Sequence, residues 1–363
     1  MEHGAARSSR PNETHSQAKR RLKSKPLRWA ATILNGLKLF KVFPAAPSKS
    51  PGVRPAPDRA ERDVCAPRDP TFGTPAMPKT GDGETPCCRL GAVSYCRAML
   101  PADYHMHTPL CRHAVGEPTD YAAQAVRLGL PEIGFSEHSP MPRDDFDDWR
   151  MLLDELDVYV EKVNQARRDH PDLSIKLALE VDYLPGHEDW IRDLAGRQRW
   201  DYLIGAVHYV SDSWDLDNPK KISEWEGRDP FQVWSAYFER LTLAAASGLF
   251  DIIAHADLCK KFCFYPAQDC TPLFTGFLKT AREKGVAMEL NTAGLRKDCK
   301  EIYPSPQIVR LAWDLGVPIT FASDAHAPGE VGMNFADAVE LARTAGYTRC
   351  CRFSQRQREE VLL

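Results

Sequence analysis

The chain has 363 residues, with 47 Lys and Arg against 50 Asp and Glu and a net charge of −3. That near-balance conceals two unlike parts: residues 1–100 carry +10 and 12 of the 28 prolines, whereas the 263 residues that follow carry −13. The acidic body is long enough for one barrel-sized domain, and its charge argues against nucleic acid as a partner, which calls for a basic footprint.

Residues 1–98 combine the basic run KRRLKSK with Pro-, Ala-, Ser- and Gly-rich text and little apolar periodicity, so they are expected to be a disordered basic extension. One stretch stands out. In residues 26–44, Leu27, Trp29, Ile33, Leu37 and Phe40 recur at roughly helical spacing among basic residues, the pattern of an amphipathic surface or targeting helix. It is too short and too charged to span a bilayer. Its apolar run begins late and is broken by Asn35, Lys38 and Lys41, which argues against a secretory signal and leaves organellar import open. A translation start at Met99 is the other reading. Eleven cysteines without a C-x-x-C pair fit a reducing, cytoplasmic setting; Cys259 and Cys263 read as free thiols. Oligomeric state is not fixed by any of these patterns.

From residue 100 the chain alternates apolar runs with helical patterns, the mark of repeated βα units. In order, the runs are LPADYHMH, PEIGFSEHS, SIKLALEVDY, DYLIGAVHYV, FDIIAHADL, GVAMELNTA and GVPITFASDAH. The helical patterns between them include PTDYAAQAVRLGL, MLLDELDVYVEKVNQARRDH, PFQVWSAYFERLTLAAASG, PLFTGFLKTAREKG and SPQIVRLAWDLG. Gly129, Gly248, Gly285 and Gly316 stand where helices close, as left-handed caps require. The expected fold is a distorted (β/α)7 barrel over residues 99–363.

The polar residues fall in one phase of this pattern. His105 and His107, Glu137 and His138, Glu180 and Asp182, His208, His255 and Asp257, Glu289 and Asn291, and Asp324 and His326 all stand at the carboxyl ends of the runs. Of nine histidines after residue 100, only His170 and His187 lie away from such an end or the loop after it. A parallel barrel builds its active site at those ends. His105 and His107, spaced i, i+2, project from one face of a strand. Seven imidazoles with Glu180 and Asp324 exceed what one ion takes and suffice for two or three divalent ions. Imidazole with carboxylate suits Zn, Fe or Mn. Such a site performs hydrolysis, with a phosphate monoester as the fitting small-molecule substrate.

With HMH, SEH, LEVDY, AVHYV, AHADL and SDAH in this order, residues 101–363 resemble the PHP (polymerase and histidinol phosphatase) superfamily, and more narrowly its monofunctional histidinol-phosphate phosphatases of histidine biosynthesis. The resemblance implies a metal-dependent phosphatase that releases L-histidinol and phosphate by hydroxide attack at phosphorus. It places His105, His107, Glu180 and Asp324 on a first metal, with Glu180 bridging to a second held by His208 and His255. His113, His138 and His326 take a third. Glu180, His208 and Asp324 would be the catalytic members. Arg296, in ELNTAGLRKDCKEIYPS, matches a phosphate-binding arginine, and Lys260 stands in DLCKKF where the family has arginine. Lysine keeps the charge and loses the bidentate fork. Another small monoester or a nucleotide is the alternative substrate; a DNA-associated PHP module is a further alternative.

Overall fold

A computed structural model describes residues 100–211 and 213–363. The extension 1–98, with the helix read over 26–44, lies outside the described residues.

Six strands form one parallel sheet in sequential order: β1 (Glu132–His138), β2 (Ser174–Asp182), β3 (Tyr202–Ala206), β4 (Ile252–Ile253), β5 (Ala287–Asn291) and β6 (Ile319–Ala322). The sheet curls, as a distorted (β/α) barrel does. Its residues are almost all buried, so the strands read as continuous apolar runs, as parallel strands covered on both faces should.

The first expected strand differs. Residues 100–107 are extended but make only isolated parallel bridges, Asp103 with Ile133 and Met106 with Ala325. Their backbone nevertheless bonds both edges of the sheet. Asp103 N–H donates to Glu132 O at 3.2 Å and Gly134 N–H to Asp103 O at 2.8 Å, while Tyr104 N–H donates to Phe321 O at 3.2 Å and His107 N–H to Ala325 O at 2.9 Å. β4 is also shorter than its apolar run, covering only Ile252 and Ile253, although Ala254 N–H still donates to Gly205 O of β3 at 3.0 Å.

Helices α1 (Pro118–Leu128), α2 (Leu156–Asp169), α3 (Glu188–Arg197), α4 (Pro230–Ala246), α5 (Thr271–Lys284), α6 (Pro306–Leu315) and α7 (Phe335–Ala345) follow the strands. Several starts are written locally: α1, α4, α5 and α6 have Pro in the first turn, and the Asp229 side chain accepts from Phe231 N–H at the start of α4. Gly129, Gly285 and Gly316 cap their helices with φ near 71–72°. Gly248 has the same φ, but one residue beyond the cap, which is Ser247.

Two packing layers result. Apolar helix faces cover the outside of the sheet, while an inner cluster joins Tyr104, Ala178, Tyr202, Ile204, Ile252, Ala254 and Ala287. Cys351 and Phe353 complete that inner cluster from an antiparallel hairpin, β7 (Arg349–Ser354) and β8 (Gln357–Leu362), which sequence periodicity did not announce. Small residues on the strands leave room for the two tyrosines, whose hydroxyls are satisfied: Tyr202 donates to Tyr104 O at 2.6 Å, and Tyr104 donates to Glu132. The apolar plug fills the sheet's amino-terminal end, and the polar chemistry gathers at the other. Among the described residues every cysteine is free, and no helix is long and apolar enough to cross a membrane.

Candidate metal centre

All nine side chains expected at the site converge on one region. His105, His107, His138, Glu180, His208 and His255 are buried, Asp324 and His326 half-buried, and His113 exposed. Three trios have potential ligand atoms within 4.8 Å of one another: His105, His107 and Glu180; Glu180, His208 and His255; His113, His138 and His326. Glu180 links the first two. Its Oε2 lies 3.2 Å from His105 Nε2 and 3.7 Å from His107 Nε2, and its Oε1 lies 3.0 Å from His255 Nε2 and 3.6 Å from His208 Nε2. His138 Nδ1 approaches Glu180 Oε2 at 2.7 Å. Asp324 Oδ1 stands 3.3 Å from His107 Nε2 and 3.9 Å from His105 Nε2, presented from a left-handed backbone with φ 52°. His113 and His326 face each other at 2.9 Å through their Nε2 atoms. His170 and His187 sit instead at helix termini.

The buried groups fit cations. His105 Nε2 and His107 Nε2 are sealed from water without a hydrogen-bond partner, and Glu180 Oε2 is buried among the rings of His105, His107 and His138. Leaving such atoms unsatisfied costs about 1–3 kcal/mol each, so their convergence calls for a shared ligand. Burial works to raise the Glu180 carboxyl, but the imidazoles of His105, His138 and His208 prevail and hold it well below the ordinary carboxylate range. Burial lowers His138 and His326, and the charge of His107 adds to it, favouring the neutral imidazole that ligates. His107 and His208 go the other way. Against the cost of burial, Asp324 and Glu137 raise His107 to about 9, and Asp182 and Glu180 raise His208 to about 10. The field at those two rings favours positive charge.

A second layer of carboxylates orients the rings, and these residues were visible at the strand ends without a role. Glu289 Oε2 lies 3.0 Å from His105 Nδ1, Glu137 Oε1 3.3 Å from His107 Nδ1, and Asp182 Oδ1 2.9 Å from His208 Nδ1. An ionised carboxylate only accepts, so each Nδ1 carries a proton and each Nε2 is the nitrogen turned toward the cluster. Asp182 is itself held by the buried Arg150, whose Nη2 donates at 2.9 Å. Arg150 also lies 4.3 Å from the Trp149 ring centroid, fixing an indole that meets His138 edge-on at 4.9 Å. Neither Arg150 nor Trp149 carries a strand-end signal; they come from the loop after β1. Cys111 was also missed: its thiol joins His107 and His326 in a further 4.8 Å group.

The two residues expected at the phosphate, Lys260 and Arg296, are both engaged by protein partners. Lys260 is buried and does not line the cavity: its Nζ has Asp257 Oδ2 at 2.9 Å, Glu301 Oε2 at 2.6 Å and Ile302 O at 2.8 Å, one acceptor for each ammonium proton. Burial opposes its charge, and Asp257 and Glu301 more than offset that. Arg296 also turns aside. Its Nη2 donates to Ser323 O at 2.8 Å and Asp324 O at 3.1 Å, and its Nε faces Glu330 at 3.3 Å, so it braces the loop that carries Asp324 and His326.

A cavity of about 420 Å³ opens onto the cluster. It is lined by His113, His138, Glu180, His208, His255, Asp324 and His326 of the cluster, together with Trp149, Tyr303, Asp148, Asp215, Asp217, Lys220, Lys261 and Lys297. Residues 103–293, more than half of the chain, match the PHP domain. The chain belongs to the PHP family. Within that family, 245 residues are 42% identical to a Deinococcus radiodurans protein named "Probable histidinol-phosphatase", covering 67% of this chain and 93% of the relative. The Bacillus subtilis histidinol-phosphatase is 28% identical over 268 residues, covering 67% of this chain and 99% of that one. The fold is also that of the Lactococcus lactis histidinol phosphate phosphatase, solved in complex with Zn, L-histidinol and phosphate: TM-score 0.63, 20% identity, covering 72% of this chain and 100% of that one.

Proposed function

We propose that this chain is a metal-dependent phosphatase that hydrolyses L-histidinol phosphate to L-histidinol and inorganic phosphate. The observation that carries the chemistry is Glu180, with one carboxylate oxygen facing each of two histidine groups. The name and 42% identity of the Deinococcus radiodurans relative support the substrate. His105, His107, Asp324 and Glu180 would hold one divalent ion, Glu180, His208 and His255 a second, and His113, His138 and His326 a third. Zn, Fe and Mn all suit this donor set. Bound there, such ions supply Lewis acidity toward the phosphoryl oxygens and a water acidified to a pKa near 7.

The chain's own residues do the rest. Glu289, Glu137 and Asp182 keep three Nε2 atoms aimed inward, Arg296 and Glu330 brace the Asp324–His326 loop, and Trp149 and Tyr303 wall the cavity. Residues 103–107 are read as the seventh stave of a (β/α)7 barrel over residues 99–363; their hydrogen bonds to both edges of the sheet support this. The pathway setting is histidine biosynthesis, in the cytoplasm.

The test is phosphate release by purified protein, before and after chelation and after restoring Zn, Fe or Mn. Activity on histidinol phosphate should vanish on chelation and return with metal. A clear preference for a sugar phosphate or a nucleotide would displace the substrate, and activity indifferent to chelation would displace the mechanism.

Glu289→Gln probes the orienting layer. The amide keeps the shape but weakens the hold on His105 Nδ1, so metal retention at the first group is expected to fall roughly 10- to 100-fold. Metal titration followed by elemental analysis checks this, and unchanged retention would remove Glu289 from the orienting layer.

A further inference from the structure

We infer that Lys297 is the side chain that meets the substrate's phosphate in this protein. The inference rests on the phosphatase reading above and adds a residue to it. Three lysines line the cavity beside the histidine cluster: Lys220, Lys261 and Lys297. Two have partners. Lys220 Nζ stands 3.2 Å from Asp148 Oδ2, and Lys261 Nζ 2.9 Å from Asp217 Oδ2. Among the described residues no acceptor is paired with the Lys297 ammonium, which leaves three N–H donors for a ligand.

The neighbouring cations sharpen the choice. Lys260 spends its three donors on Asp257, Glu301 and Ile302 O. Arg296, one residue before Lys297, commits Nη2 and Nε to the Asp324 loop and Glu330 and keeps only the buried Nη1 without a partner. A phosphate monoester brings about two negative charges at neutral pH. Asp148, Asp215 and Asp217 line the same cavity as the three lysines, so a dianion docking there gains most from a cation that no carboxylate has already neutralised.

The backbone that carries Lys297 is fixed rather than loose. A short 3-10 turn, Thr292–Arg296, follows β5; the Asn291 side chain accepts from Ala293 N–H at 2.9 Å, and Lys297 N–H closes the turn on Gly294 O at 3.0 Å. Two residues on, Cys299 N–H donates to Lys261 O at 3.2 Å, tying this loop to the one after β4. The half-buried Lys297 stem therefore leaves an anchored position at the cavity wall. Lysine is an adequate phosphate ligand as a point charge, without the fork of arginine.

The experiment compares wild type, Lys297→Met, Lys297→Arg and a control, Lys279→Met, on the exposed face of α5. Measured on the same preparations are kcat and KM for histidinol phosphate, calorimetric binding of inorganic phosphate to the metal-loaded protein, and metal content. Lys297→Met should raise KM and weaken phosphate binding in parallel, each roughly tenfold or more, the scale of one lost charged hydrogen bond. Metal content should stay at the wild-type value, Lys297→Arg should recover most of the loss, and the control should match wild type. Wild-type KM and phosphate binding in Lys297→Met would overturn the assignment, as would a loss of metal that explained the defect. If wild type instead prefers another monoester, the same comparison is made with that ester and with phosphate. The substrate reading then fails on the first measurement, and the lysine stands or falls on the second.

Discussion

Replacing Glu180 with Gln should remove nearly all turnover while leaving the folded chain intact. Each Glu180 oxygen faces a different histidine group, at 3.2 Å from His105 Nε2 and 3.0 Å from His255 Nε2. Gln keeps the volume and one acceptor oxygen but loses the negative charge and turns an NH₂ toward one of the two groups. An N–H donor cannot ligate, so one proposed ion loses a ligand and both lose an anion. Outer partners of metal ligands cost about 10- to 100-fold when changed, and a bridging carboxylate should cost more. Phosphate release, the metal-to-protein ratio and far-ultraviolet circular dichroism on one preparation check this. His170→Ala is the matched control. His170 stands at the end of α2, where its backbone N–H bonds Ala166 O and its ring Nε2 lies 3.4 Å from Thr119 Oγ1, and removing the ring should leave metal content unchanged. Near-wild-type turnover in Glu180→Gln would refute the bridging role.

The convergence of the nine side chains was legible because parallel βα repetition places strand ends together, and apolar runs ending in His, Glu or Asp declare those ends. What stayed hidden depends on where long side chains turn. Arg296 and Lys260 sit beside the right strands, yet nothing in their spacing says that one reaches the carbonyls after β6 and the other folds back to Asp257. Arg150 and Trp149 escaped for the opposite reason. They belong to an irregular loop, where no period tells an inward side chain from an outward one. The β7–β8 hairpin was missed because β8, QREEVL, is mostly exposed and charged; only Cys351 and Phe353 on β7 reach the inner cluster.

Lys260 separates the two readings of its position most sharply, since a phosphate ligand and a buried counter-ion respond oppositely to substitution. On the family pattern, Lys260→Arg would restore a missing fork and improve or preserve activity. In the structure the ammonium sits in a closed pocket, 1% exposed, with three acceptors within 2.9 Å. A guanidinium is larger, planar and carries five donors, so it overfills this pocket and cannot match three acceptors arranged around a point charge. Lys260→Arg should therefore lower the melting temperature without raising kcat/KM. Lys260→Met keeps the stem and removes the charge, stranding the buried Asp257 carboxylate with Ser305 N–H, at 2.8 Å, as its hydrogen-bond donor. Breaking a buried pair costs about 3–5 kcal/mol. Glu301 is partly exposed and regains water, which places the expected loss near the lower end, about 3 kcal/mol or roughly 6–12 °C in Tm for a domain of this size. Calorimetric melting and steady-state kinetics on both variants decide the matter. A Lys260→Met protein with wild-type Tm but a raised KM would return Lys260 to the substrate phosphate. A destabilised protein that still binds phosphate normally would fix it as the counter-ion that holds Asp257 beneath the cavity floor.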